Sequence, residues 1–140
     1  MEKGLYYLAG PHKGTPEQEA YRYETSLKIT TDFLNQGIHI FSPIVYGKHI
    51  TEACNFPVLE ERRRRMMDYL FEFLKASKGL ILLTMEGWEK SWGLNQELIF
   101  CLENQIPVYL MDPAERSENY SFMFSKPLNP QQLSQLLKAA

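Results

Sequence analysis

The sequence predicts one α/β domain built on a parallel sheet, and three observations carry that expectation. Four short apolar runs rich in β-branched and aromatic residues recur along the chain, as buried strands do. The longer segments between them carry helix caps and stops, and strands alternating with helices give a parallel sheet with helices on both faces. The whole is 140 residues, 44% hydrophobic and 23% charged, which suits a single core that needs no staples.

The first strand is LYYLA, Leu5 to Ala9. A loop from Gly10 leads to Thr15, a cap residue, followed by Pro16 and the acids Glu17 and Glu19 in what becomes a first helical turn. That helix is expected over Pro16 to Gln36, with Gly37 as its stop. IHIFS, Ile38 to Ser42, is the second strand, and Pro43 to Phe56 reads as a loop. Between Pro57 and Ser77 an amphipathic helix sets Met66, Met67, Leu70, Phe73 and Leu74 against Arg64, Asp68, Glu72 and Lys75. GLILLT, Gly79 to Thr84, is the third strand; a loop from Met85 to Trp92 precedes a helix over Gly93 to Asn104. PVYLM, Pro107 to Met111, is the fourth strand. Polar residues follow, with YSFMF read as extended, and Asn129 and Pro130 open a last helix. The architecture expected is a Rossmann-like or flavodoxin-like sheet of four or five strands within one domain spanning 1–140.

Ligands of such sheets bind beyond the carboxyl ends of the strands, so the loops there are where chemistry is sought. Gly10 and Gly14 in AGPHKGT allow close approach to the backbone, yet the stretch is neither a dinucleotide fingerprint nor a Walker loop, and it equally suits an ordinary turn. Ser91 and Gly93 stand at a helix start, where a hydroxyl and free N–H groups serve either as a cap or as an anion seat. Glu97 falls at the edge of the apolar arc of Leu94, Leu98 and Cys101, so its carboxylate is expected to be partly desolvated and suited to act as nucleophile or base. Trp88 and Trp92 serve as platforms for a flat ring or as cover for the sheet edge. Arg62 to Arg65, beside Glu60 and Glu61, read as a solvated, ion-paired helix face in preference to a phosphate site.

Other classes are disfavoured. A formal net charge of −2 argues against a nucleic-acid polymer as partner, and no apolar run approaches the roughly 18 residues of a membrane span. Cys54 and Cys101 form no CxxC pair and the three histidines have no ligand spacing, so both thiols are expected free and no metal or cofactor is called for. MEKGLYYLAGP lacks a signal-peptide pattern, which places the expected compartment in the cytoplasm.

YYLAGP, FSPIVYGKHI and LILLTMEGWEKSWGLNQELIFCLENQIPVYLM together resemble the nucleoside 2-deoxyribosyltransferase superfamily over residues 4 to 112. The last stretch holds a G-W-x-x-S-x-G-x-x-x-E pattern of a small branch, similar to the deoxynucleoside 5′-monophosphate N-glycosidases. The resemblance implies an enzyme that cleaves or transfers the N-glycosidic bond of a (deoxy)nucleoside or its 5′-monophosphate. It casts Glu97 as the nucleophile on the anomeric carbon and Ser91 as the phosphate contact. Tyr7, Gly10, Pro43, His49, Trp88 and Gly93 join the substrate-binding set, and a homo-oligomer is implied, for which the aromatics of 119–124 offer a contact. Two acids usual in the superfamily are replaced, by Leu70 and Lys78, which leaves Asp68 as the nearest candidate for the acid. Those replacements keep open a nucleotide-binding or sensing module without turnover, and fold-level analogy keeps open hydrolysis of NAD-type nucleotides.

Overall fold

A computed structural model describes residues 3–56, 58–115 and 127–139. The strands β1 (Leu5–Ala9), β2 (His39–Phe41), β3 (Ser77–Leu83) and β4 (Val108–Met111) form one sheet in the order β2-β1-β3-β4. Every neighbouring pair is parallel, with Tyr7 level with Phe41 on one side and with Leu80 on the other. The helices are α1 (Pro16–Asn35), α2 (Pro43–Ala53), α3 (Leu59–Lys75), α4 (Trp92–Asn104) and α5 (Pro130–Ala139). This is the Rossmann-like or flavodoxin-like arrangement expected from the alternating pattern. No helix among the described residues is long and apolar enough to cross a membrane.

Side chains alternate between the two faces of each strand, so each strand feeds two separate cores. Tyr6, Leu8, Ile81 and Leu83 pack with Ile29 and Phe33 of α1. Tyr7, Ala9, Leu80 and Leu82 face the opposite way, onto Leu70 and Leu74 of α3, Leu94 and Leu98 of α4, and Leu133 of α5. Each such aliphatic side chain, taken out of water, contributes about 1.5–3 kcal/mol.

The caps form where the residues place them. Thr15 Oγ1 accepts from the Gln18 amide at 3.2 Å while Gln18 Oε1 accepts from the Thr15 amide at 3.0 Å, a reciprocal box at the start of α1. Asn129 and Gln132 repeat the exchange at α5, at 2.8 and 2.9 Å. Gly37 takes φ +78° just past the end of α1, a left-handed turn that a side chain would strain.

One expectation is corrected. Residues 43–53, read as a loop, form α2, capped by Ser42 Oγ accepting from the Val45 amide at 3.2 Å, with Pro43 at the first helical position. Ser-Pro is the same signal as Thr15-Pro16, and the interior Gly47 masked it; Gly47 is buried in the structure. β3 also begins two residues before Gly79. The YSFMF stretch and the suggested contact over 119–124 lie outside the described residues.

From β1 the chain turns one way through α1 to β2, and the later strands add on the other side of β1. The loops after β1 and β3 therefore part company at the carboxyl ends of adjacent strands, which is where a crevice opens in such sheets. Leu74 has no exposure and packs between α3 and the sheet, so Leu74→Ala is expected to cost about 2–5 kcal/mol, read as a lower urea midpoint at unchanged slope.

Candidate functional site

At that crevice lies a cavity of about 380 Å³ between the loop after β1, helices α2 and α3, and the start of α4. Gly10, Pro43, Ser91, Gly93 and Glu97, all singled out in the sequence, line it. Tyr7 lies in the sheet and interacts with Glu97. His49 and Asp68 are exposed and outside the lining, as is Trp88, which packs against the core under α4. Trp92 takes the place at the cavity that Trp88 was expected to share. A second cavity, about 410 Å³, opens beside α1 and is lined by Glu17, Tyr21, Glu86 and Asp112; it shares no residue with the first and none of the singled-out side chains.

The position of Glu97 follows from how α4 is anchored. Ser91 caps the helix, its Oγ accepting from the Leu94 amide at 3.3 Å, and Leu94, Leu98 and Cys101 are buried against the sheet. Gly93 lies under α3, where an added Cβ would come within 3.3 Å of the Met67 methyl. Held in this way, α4 carries Glu97 into the apolar layer with 5% of its surface exposed, deeper than the rim position its place on the wheel suggests. Burial raises its pKa from 4.5 to about 7, and the Tyr7 hydroxyl offsets this only in part. That hydroxyl is itself fully buried and raised well above its ordinary pKa, first by desolvation and then by Glu97. It lies within polar reach of the carboxyl yet forms no hydrogen bond of ordinary geometry, so it keeps a donor in reserve.

The rest of the lining divides into an apolar wall and a cationic mouth. Ile44, Met66, Met67, Leu70 and Leu94 form the wall, while Lys13, Arg62, Arg63 and Lys90 supply the charge. No ion pair holds any of these four cations among the described residues. Arg63 lies over the Trp92 ring at 5.2 Å. The reading of Arg62 to Arg65 as a paired face thus holds for Arg65, which meets Glu61 at 2.7 Å, and not for Arg62 and Arg63. A helix wheel alone does not show that α2 and the loop after β1 stand opposite those two arginines. His12 also lines the cavity, with its pKa lowered by burial and by Lys13. Among the described residues no cluster of three metal-ligating side chains occurs.

Arg22 is the residue that sequence reasoning missed. Only 4% exposed on α1, it donates from Nη1 to the Lys13 carbonyl and from Nη2 to the Glu86 carbonyl, each at 2.6 Å. One guanidinium thereby ties the loop after β1 to the loop after β3. Gly87, at φ +85°, passes so close that a Cβ would come within 2.9 Å of Nη2.

Two outcomes follow from this geometry. Arg22→Met leaves both carbonyls unpaired and is expected to cost about 2–4 kcal/mol, with limited proteolysis shifting to the two loops. Glu97 has a folded pKa above its unfolded one, so its contribution favours folding below pH 4.5 and is progressively lost as pH rises to about 7. Between those limits the wild type is expected to lose on the order of 3 kcal/mol relative to Glu97→Gln, measured by denaturant titration of both proteins across pH.

No curated protein matches the chain. A match to a described family extends over residues 6–113, which takes in nearly all of the sheet, helices α1 to α4 and every residue lining the cavity. The chain therefore belongs to the family described as Domain of unknown function (DUF1937).

Proposed function

We propose that the protein cleaves or transfers the N-glycosidic bond of a nucleoside 5′-monophosphate, with Glu97 as nucleophile. The observation that carries this reading is a buried carboxyl with a pKa of about 7 in a cavity with an apolar wall and a cationic mouth. A carboxylate in such a place is poorly solvated, and an electron-deficient anomeric carbon is a partner it lacks in the free protein. The cations suit the phosphate: Arg62 and Arg63 present forked donors, and Lys13 and Lys90 add compact charge. Ser91 contributes its hydroxyl proton, because its oxygen already accepts from the Leu94 amide. The wall of Ile44, Met66, Met67 and Leu70 gives a flat base an apolar slot.

In the reaction, the Glu97 carboxylate attacks the anomeric carbon as the bond to the base breaks, giving a glycosyl ester. Water or a second base then displaces the carboxylate, as in retaining glycoside chemistry. The Tyr7 hydroxyl is the group positioned to steady the carboxylate each time it is released. The resemblance to the deoxyribosyltransferase superfamily supports the same assignment, and with it a cytoplasmic enzyme that works as a homo-oligomer. A second reading, nucleotide binding without turnover, draws on Leu70, which stands in the cavity at a position where that superfamily usually has an acid.

Purified protein incubated with nucleosides and their 5′-monophosphates is expected to release free base from the monophosphates, seen by chromatography, and Glu97→Ala is expected to abolish the release. kcat/KM should rise with pH and level off above about 7 as Glu97 ionises in the free enzyme. Stabilisation by nucleotides with no released base at any pH would favour the binding module.

A further inference from the structure

Among the described residues lining the cavity none is placed to protonate the departing base. The Tyr7 hydroxyl lies outside the lining, against the Glu97 carboxyl, and burial raises its pKa well above the ordinary value, which makes it a poor acid. A neutral purine or pyrimidine leaves as an anion unless a proton reaches it while the bond breaks, and general acids supply about 10²–10⁴ in rate for such steps. Among the described residues that line the cavity, Glu97 is the one carboxylic acid, and it is occupied as nucleophile. Met66, Met67 and Leu70 have no proton to give, and Asp68 lies exposed outside the lining. Lys13, Arg62, Arg63 and Lys90 stand at the mouth, where they meet the phosphate and not the base. His12 is driven toward its neutral form by burial and Lys13, where it is a feeble acid. Glu19 and Glu52 belong to a neighbouring cavity of about 310 Å³ that shares His12, Lys13, Gly47, Thr51 and Arg62 with the first. Glu19 there accepts from the Gly14 amide at 3.4 Å, and Glu52 is exposed.

We infer that the substrate is a nucleoside 5′-phosphate whose base is joined through a positively charged ring nitrogen system, as in a pyridinium or an N7-alkylated purine nucleotide. This rests on the N-glycosidase reading above and sharpens it. With such a base the electron balance closes without an acid. A Glu97 oxygen forms the bond to the anomeric carbon, and the electron pair of the breaking C–N bond passes to the base and cancels its positive charge. The base leaves neutral. Water then attacks the same carbon, the carboxylate departs, and the water's proton passes to solvent. The cavity also fits the ligand's charges, since the base cation sits by the Glu97 carboxylate while the phosphate meets Lys13, Arg62, Arg63 and Lys90 at the mouth. The methionine thioethers offer a soft, polarizable wall to a flat ring.

The test uses the full chain and four probes: nicotinamide mononucleotide, 7-methylguanosine 5′-monophosphate, and unmodified GMP and dGMP. Base release is measured with each probe's spontaneous hydrolysis subtracted and with Glu97→Ala beside it. At least one cationic probe is expected to be cleaved about 100-fold or more faster than either neutral one, in kcat/KM, and which one responds separates the pyridinium source from the alkylpurine source. Leu70→Asp, which puts a proton donor into the wall, is expected to raise the ratio of neutral to cationic turnover at least about tenfold. GMP or dGMP cleaved within tenfold of the better cationic probe by the wild type would overturn this inference and leave the N-glycosidase reading standing. Absence of Glu97-dependent release from all four would overturn both.

Discussion

Keeping one carboxyl in an apolar layer is the constraint around which the crevice is arranged. Glu97 lies six residues after the Ser91 cap, too far into α4 for the helix start to do much for its charge. What keeps it buried is the packing of its neighbours in the helix. Leu94, Leu98 and Cys101 hold α4 on the sheet, and Gly93 lets α3 come close enough to shut the side. Exposing the carboxyl would mean rolling the helix and taking those three side chains out of the core. The same burial that makes the acid costly to hold is what makes it chemically useful, a trade often found where function and stability meet.

Charge is distributed with a similar economy. The chain as a whole carries a formal −2, yet the cations Lys13, Arg62, Arg63 and Lys90 gather at one opening. They come from three separate parts of the fold: the loop after β1, the first turns of α3 and the turn before α4. Bulk charge therefore says little about this opening, because field lines in a cleft with low-dielectric walls are set by the nearest groups.

Much of the fold was legible in the sequence, and the reason is that its signals are local. Strand runs, the Thr15-Pro16 and Asn129-Pro130 starts and the Gly37 stop each act within a few residues, and the strands and helix ends they mark stand within two residues of where they were expected. Glu97 was legible too, since its neighbours three and four residues away fix which face of the helix it shares. Its depth was not, because that depends on α3 crossing at Gly93. The same limit explains Arg62 and Arg63: periodicity marks them as polar, and only the tertiary arrangement shows what lies opposite. Trp88 and Trp92 are four residues apart, yet a short 3₁₀ turn over Trp88–Lys90 sends one to the core and the other to the cavity. Arg22 gives no sequence signal of any kind, because its partners are backbone carbonyls, 9 and 64 residues away, whose identity any amino acid could supply.

That independence from side-chain identity has a consequence for how the chain can change. The loops after β1 and β3 are free to vary in their side chains, but the carbonyls of Lys13 and Glu86 must stay where one guanidinium reaches both. A lengthened first loop would pull the Arg22 fork off the third-strand loop, and the converse holds as well. The two loops therefore behave as a single inherited unit: a graft of either one into a related scaffold succeeds only if its partner and the arginine travel with it.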